Sequence, residues 1–381
     1  MISIQSKLPG VGTNIFTTMS KLAEEHKAIN LSQGFPDYNC DPVLVDLVSD
    51  AMKNGFNQYA PMTGLPLLRT LVAEKTNKLY GSQYHPDTEV TITSGGTQAI
   101  FTALSACINA GDEVIIFEPA YDCYAPAVKL LGGLVKPFEL VPPDYDIDWE
   151  MVKKLFTANT KMIILNSPQN PTGCILSDKD IKSLIKLTKN TDILILSDEV
   201  YEHIIFDGRK HQSVALYPEL SERSFVIASF GKLLHTTGWK LGYCLAPEKL
   251  MKEFRKVHQY NVFSVNTPMQ LGVANYLKNP ESYTGLTDFF QQKRDLFRTL
   301  LSETKFKLLP CNGSYFQCVS YGHITDVKDT EMAERLVKEF GVASIPVSAF
   351  YTKHTDHKIL RFCFAKRQET LEKAVEKLMN L

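Results

Sequence analysis

From about residue 90 to residue 247, short apolar, β-branched runs alternate with stretches whose apolar residues recur every three or four positions. The first kind reads as buried strand and the second as amphipathic helix, and their alternation is the signature of stacked βαβ units around a mostly parallel sheet. Strands are predicted at Glu89–Thr93, Glu113–Phe117, Gly133–Phe138, Lys161–Asn166, Ile193–Ser197, Ser224–Ser229 and Gly242–Ala246. Asp178–Lys189, opening after the capping-type Ser177, is a representative helix between them. Beyond residue 280 the pattern changes. Long charged helices are predicted over Glu281–Thr304 and Thr330–Phe340, beside short strands at Gly313–Val319 and Ile359–Phe364, which suits a separate α+β layer. Helical spacing at Ile15–Glu25, followed by the coil Ser32-Gln-Gly-Phe-Pro-Asp37, assigns the N-terminal segment to that layer. The expected architecture is α/β: a large domain over 40–283 with a seven-stranded, mostly parallel sheet flanked by helices, and a small α+β domain from 1–39 and 284–381.

A length of 381 residues agrees with about two domains. The 41 lysines and arginines balance 42 acidic residues, so there is no basic field to gather nucleic acid or an anionic membrane. The first thirty residues lack a charged start followed by an apolar core, and nowhere do eighteen apolar residues run together. A cytoplasmic protein is the expectation. Eight cysteines, at 40, 107, 123, 174, 244, 311, 318 and 363, have neither C-x-x-C nor zinc-ligand spacing and are expected as reduced core residues. His354 and His357 lie in a polar stretch that reads as a solvated turn, and no metal is expected.

Candidate chemistry gathers at strand ends, where α/β proteins keep their ligands. Lys232 closes the run Phe225-Val-Ile-Ala-Ser-Phe-Gly-Lys232, read as a buried strand ending in a glycine turn. An amine among apolar neighbours loses hydration, which lowers its pKa and makes it a nucleophile toward a carbonyl. Ser94-Gly95-Gly96-Thr97 follows one strand and opens an apolar helix, so backbone N–H groups there are free for a phosphate. Such a glycine pair is by itself more often a plain turn. The tyrosine of Glu118-Pro-Ala-Tyr121 could stack on a planar ring or simply fill core. Two prolines and a glycine hold Asn170 in Asn166-Ser-Pro-Gln-Asn170-Pro-Thr-Gly173, a turn that either presents a side chain or satisfies its own backbone. Asp198 reads alone as a helix cap, and read with the other motifs as the carboxylate that keeps a pyridine nitrogen protonated, with Tyr201 on its face. Ser229 and Lys240 could share the phosphate. Arg361, in an alternating strand pattern, suits bidentate capture of a carboxylate or a structural ion pair.

Five successive strand ends thus each offer a group that one phosphorylated pyridine aldehyde requires. The same motifs, together with Leu31-Ser-Gln-Gly-Phe-Pro-Asp37, Asn57-Gln-Tyr-Ala-Pro61, Thr237-Gly-Trp-Lys-Leu-Gly-Tyr243 and Leu360-Arg-Phe-Cys-Phe364, run nearly end to end. In them the chain resembles the fold-type I, pyridoxal 5′-phosphate-dependent class I/II aminotransferases, nearest the methionine and kynurenine (glutamine transaminase K) group. The resemblance implies that Lys232 bonds the cofactor aldehyde, Asp198 pairs with the pyridinium, and Asn170 and Tyr201 reach the phenolic oxygen. It implies Tyr121 stacked on the ring, a position where many relatives carry phenylalanine or tryptophan. The phosphate would meet Gly95, Gly96, Thr97, Ser229 and Lys240, with Tyr59 reaching across from a second subunit of a homodimer. Gly34, Asn170 and Arg361 would hold the substrate carboxylate, with Ile15 and Phe263 near its side chain. The segments around Ile15 and Phe263 contain no second arginine for a dicarboxylate, so the amino donor is expected to be large and uncharged, and the partner substrate a 2-oxo acid. Competing readings are a cysteine-S-conjugate β-lyase on the same cofactor, a binding protein that keeps the fold without the cofactor, and a nicotinamide dehydrogenase, which the missing G-x-G-x-x-G disfavours.

Overall fold

The computed structural model describes residues 4–381. Strands β1 Val90–Thr93, β2 Glu113–Glu118, β3 Leu134–Glu139, β4 Thr160–Asn166, β5 Leu194–Asp198, β6 Ser224–Ser229 and β7 Gly242–Leu245 form one sheet in the order β1-β7-β6-β5-β4-β2-β3. Only β7 runs against its neighbours β1 and β6, so the sheet is mostly parallel, as the pattern predicts. The link from β6 to β7 carries just a helical turn at Phe230–Leu233 and a 3₁₀ turn at Thr237–Trp239, too little helix for a parallel crossover. Both sheet faces are covered. Ile115, Ile163 and Ile195 enter one apolar cluster, while Val114, Ile116, Ile164 and Leu196 enter a second on the other side. Burial on both faces is why these strands read as continuous apolar runs instead of alternating ones.

A second sheet of β8 Lys307–Leu308, β9 Phe316–Ser320, β10 Ile345–Pro346 and β11 Ile359–Cys363 has the order β10-β11-β9-β8 and is antiparallel throughout. Ile29–Asn30, which follow helix α1 (Ile15–Glu25), pair in parallel with Val342–Ala343, so the N-terminal segment does join the C-terminal layer.

Several elements depart from expectation. The helix predicted over Glu281–Thr304 is broken at Gly285 into Glu281–Thr284 and Leu286–Leu301, because glycine there contributes no side chain to the buried stripe of Leu286, Phe290, Phe297 and Leu301. The strand expected from Gly313 starts only at Phe316, since Ser314 adopts a left-handed φ of 61°. Lys232 lies one turn beyond the strand, inside Phe230–Leu233, and not at the strand's end. Residues after Asp198 form a turn and no helix, so the reading of Asp198 as a helix cap is overturned. The predicted helix at 178 is present as Asp178–Thr188, with Ser177 and Asp180 in a reciprocal capping box. Of the eight free cysteines, only Cys244, Cys311, Cys318 and Cys363 are buried, and the other four are half-buried, so the core assignment was right for half of them. His354 is exposed as expected, whereas His357 is half-buried and rests 3.1 Å from Glu139. Among the described residues no helix is long and apolar enough to cross a membrane, and no group of three or more His, Cys, Asp or Glu could hold a metal ion.

Candidate active site

The carboxyl ends of the parallel strands bring the candidate chemistry to one edge. Register pairs Asn166 with Asp198 and Asp198 with Ile227, while Ser229 pairs with Gly242 and Gly242 with Thr93. Above that edge lies a cavity of about 380 Å³ whose lining includes Asp198, Tyr201, Lys232, Lys240, Asn170 and Arg361. Gly34, Gly95, Gly96, Thr97, Tyr121 and Ser229 face the same space. Residues spread over more than three hundred positions of sequence therefore meet around one volume.

Helix α2 (Gly95–Cys107) starts at this edge, and its N-cap Ser94 makes no side-chain cap, leaving N-terminal N–H groups for another acceptor. Gly95 sits at φ +80°, and a Cβ there would lie 3.5 Å from Lys240 Nζ, so the ammonium hangs directly over the helix start. Lys240 pairs with no carboxylate among the described residues. Free N–H groups, the helix dipole and this cation together make an anion cradle, with Ser229 closing β6 beside it.

Asp198 is buried at 3% exposure. It accepts from Tyr124 Oη at 2.5 Å and from the Val200 N–H at 3.3 Å, and the Asn166 amide steadies its carbonyl. Burial pushes its carboxyl up to about 6 despite those donors. A buried carboxylate on a cavity wall without a cation in contact is suited to a cationic N–H of a ligand. The next residue, Glu199, anchors the turn by accepting from Ser197 Oγ and the Val214 N–H and by meeting His211 at 2.7 Å.

Lys232 Nζ donates to Tyr315 Oη at 2.6 Å and to the Gly34 carbonyl at 3.1 Å. Burial lowers its amine to about 8, with Lys240 and Arg361 adding like-charge repulsion. At pH 7 about a tenth of such amines are unprotonated, against roughly one in three thousand at the usual lysine value. Tyr201, held by edge-to-face contact with Tyr315 at 5.0 Å, is buried, which raises its phenol and keeps it protonated.

Arg361 is fully buried on β11. Its two terminal nitrogens donate to Asn170 Oδ1 at 2.7 Å and the Ser32 carbonyl at 2.6 Å, while its Nε has no partner. The guanidinium lies 3.9 Å from the Phe316 ring centroid, with Phe16 and Phe350 at 5.2 and 5.4 Å. No carboxylate neutralises it among the described residues. A buried arginine without an anion is costly unless one arrives from outside. Gly34 passes beside this group because a Cβ would stand 2.8 Å from the Phe316 ring.

Three of the sequence-derived site residues do not line the cavity of this chain. Ile15 and Phe16 are both half-buried against the core, and of the two it is Phe16 that lines the cavity. Tyr59 and Phe263 meet each other edge to face at 5.4 Å on the surface, 83% and 47% exposed. Sequence reasoning also missed residues. Tyr124, from the same motif as Tyr121, bonds Asp198, whereas Tyr121 reaches Thr97 at 3.3 Å. Tyr315 was unremarked within its strand pattern. The second tyrosine of Glu118-Pro-Ala-Tyr-Asp-Cys-Tyr124 was a signal available in the chain; Tyr315 offered none beyond its place beside Phe316.

An anion cradle, a cation-seeking carboxylate, a depressed amine and an unpaired arginine thus surround one cavity. The aminotransferase class I and II family profile matches residues 26–378, and the chain belongs to that family. It is an aminotransferase, of a family that uses pyridoxal 5′-phosphate. The chain is 47% identical to methionine aminotransferase of Escherichia coli strain K12 over 378 residues, covering 99% of this chain and 98% of that protein. It is 34% identical to human kynurenine–oxoglutarate transaminase 1 over 409 residues, covering 98% and 96% of the two. A solved Escherichia coli structure described as having a methionine aminotransferase function superposes with a TM-score of 0.97 at 46% identity, covering all of both chains.

Proposed function

We propose that the cavity holds pyridoxal 5′-phosphate and that the enzyme moves the amino group of a large uncharged amino acid, such as methionine, glutamine, an aromatic residue or kynurenine, to a 2-oxo acid. The observation that carries the substrate half is Arg361: a buried guanidinium with a free Nε, walled by phenyl rings and without an anion. Apart from Lys232 and Lys240, it is the cavity lining's sole cation among the described residues, so one carboxylate is provided for and a second is not. The names of the methionine and kynurenine relatives point the same way.

The residues present fit the cofactor. Gly95, Gly96, Thr97, Ser229 and Lys240 would hold its phosphate, Tyr121 its ring face, Asp198 its ring nitrogen, and Asn170 and Tyr201 its phenolic oxygen. When bound, the cofactor supplies an aldehyde that condenses with amines and a protonated ring that accepts the electron pair left at the donor Cα. Lys232 Nζ would be the amine that holds the aldehyde and, when free, the base that takes the Cα proton. Asp198 keeps the ring nitrogen protonated through its buried negative charge. Arg361, Asn170 and the Gly34 backbone fix the carboxylate and thereby aim the Cα–H bond.

Arg361→Gln should raise the donor KM by about ten- to a hundredfold, with a smaller change in kcat, because a charged bidentate anchor is lost. Steady-state kinetics on methionine check this, and an unchanged KM would remove the arginine from the substrate site. The donor class is tested by kcat/KM across methionine, glutamine, phenylalanine, kynurenine and aspartate. Preference for aspartate would end the large-uncharged reading.

The same proposal places the cavity between a large domain over 40–283 and a small one built from both chain ends. It pairs two copies, so that the exposed Tyr59 and Phe263 of one serve the other's phosphate and donor side chain, and it puts the enzyme in the cytoplasm, where eight unpaired thiols stay reduced.

A further inference from the structure

Lys232 Nζ is held by two acceptors from outside its own element. Tyr315, from the segment entering β9, takes one N–H at 2.6 Å, and the Gly34 carbonyl takes another at 3.1 Å. Tyr315 closes the triangle by donating its own hydroxyl to the Gly34 carbonyl at 2.5 Å. The tyrosine is itself closely packed: 1% exposed, against Tyr201 at 5.0 Å, Phe316 at 4.9 Å and Phe290 at 5.6 Å. Burial raises its phenol well above the usual value, so it remains a hydroxyl that can both donate and accept.

We propose that Tyr315 is a positioning residue for the reacting amine, holding Lys232 Nζ against the Gly34 loop whenever that nitrogen is not covalently engaged. A neutral amine has two hydrogens and one lone pair. With both hydrogens given to Tyr315 and Gly34, the lone pair is left for the remaining direction, and Lys232 borders the cavity there. The same contact ties the amine to the loop that, on the reading above, receives the substrate carboxylate, so the base and the carboxylate site are built on one frame. This inference rests on Lys232 being the reacting amine. Other charged or titratable groups facing Lys232 are Asp198 at the end of β5, Tyr201 from the turn that follows, Lys240 before β7, and Arg361 and Cys363 on β11. None of these supplies the hydrogen-bond acceptor that Tyr315 does.

The test is Tyr315→Phe, which keeps the ring in its aromatic packing and removes only the hydroxyl. Apoenzyme is mixed with pyridoxal 5′-phosphate from pH 6 to 10 and the loading rate is followed by absorbance, with kcat and KM for methionine measured on the loaded protein. Removing an acceptor that favours the ammonium should move the loading inflection to lower pH, while the high-pH plateau, where every amine is neutral, falls about tenfold for want of aim. On the loaded enzyme kcat should fall about tenfold with KM within twofold. An unmoved inflection and plateau, or a raised KM at unchanged kcat, would overturn the proposal, since packing of the Gly34 loop alone predicts the latter. Borohydride trapping separates the two levels of argument. Cofactor fixed on another lysine sinks the reading of Lys232, whereas cofactor fixed on Lys232 with wild-type loading sinks only the role of Tyr315.

Discussion

Lys232→Ala should lower kcat by about four orders of magnitude or more, while the protein keeps its thermal midpoint and still takes up pyridoxal 5′-phosphate without a covalent bond. The size follows from the double duty proposed for one nitrogen: it is both the amine that bonds the aldehyde and the base at Cα, and each such role contributes on the order of 10²- to 10⁴-fold. The fold should survive because the side chain contributes two hydrogen bonds at a cavity wall, and its buried amine, held down to about 8, is destabilised in its charged form. The near-visible band of the lysine-bonded cofactor should be absent, and added methionine should condense with the free aldehyde without going on to a 2-oxo acid. Turnover within tenfold of wild type would remove Lys232 from the chemistry and, with it, the functional assignment.

The second large effect is on stability. Glu202, in the turn beyond Tyr201, is buried against Lys75 at 2.6 Å and also accepts from Tyr80 at 2.5 Å and Tyr243 at 3.0 Å, with His203 beside the lysine at 3.0 Å. Burial alone would raise this carboxyl, but the Lys75 ammonium and His203 outweigh it and hold it well below the usual range. Glu202→Gln should cost about 3–5 kcal/mol, because it leaves the Lys75 ammonium buried without an anion. For a chain of this length that is a fall of roughly 5 °C in thermal midpoint. The sign with pH follows from the depressed value. The carboxylate's contribution is complete above its unfolded pKa of about 4.3 and is lost as acid approaches the lower folded value. Melting curves of the two proteins should therefore differ fully at pH 7 and converge toward pH 3, and equal midpoints at pH 7 would show that the network holds nothing together. Since Glu202 adjoins Tyr201, some loss of activity at temperatures near the midpoint is expected as well.

Most of the large sheet was legible in the chain because its strands are buried on both faces and bounded by turn residues, so composition and periodicity agreed. The reversed β7 was not, because strand direction depends on how the connection folds and not on the strand's own residues. Glu281–Thr304 was read as one helix because its apolar stripe continues past Gly285, and periodicity does not register a break of one residue. Lys232, Asp198, Asn170, Arg361 and the Gly95-Gly96 pair were recognisable as a set, since each sits in a local motif of turn formers and apolar strand. Tyr124 and Tyr315 could not be separated from core tyrosines, because an aromatic ring buried for packing and one buried to hold a functional atom have the same sequence environment. Ile15 was chosen over Phe16 although adjacent helix residues point about 100° apart, and which of them turns inward depends on how α1 docks.

Sequence alone determined the order of elements, the type of the main sheet and the identity of the groups that reach its edge, because these follow from local propensity, periodicity and the chemistry of each side chain. Tertiary structure alone decided that Arg361 is buried without an anion, that Asp198 has no cation in contact, and that the Lys232 amine is shared between Tyr315 and the Gly34 carbonyl. Those properties are desolvation and distance, and both arise only when segments as far apart as residues 34, 198 and 361 are brought around one cavity.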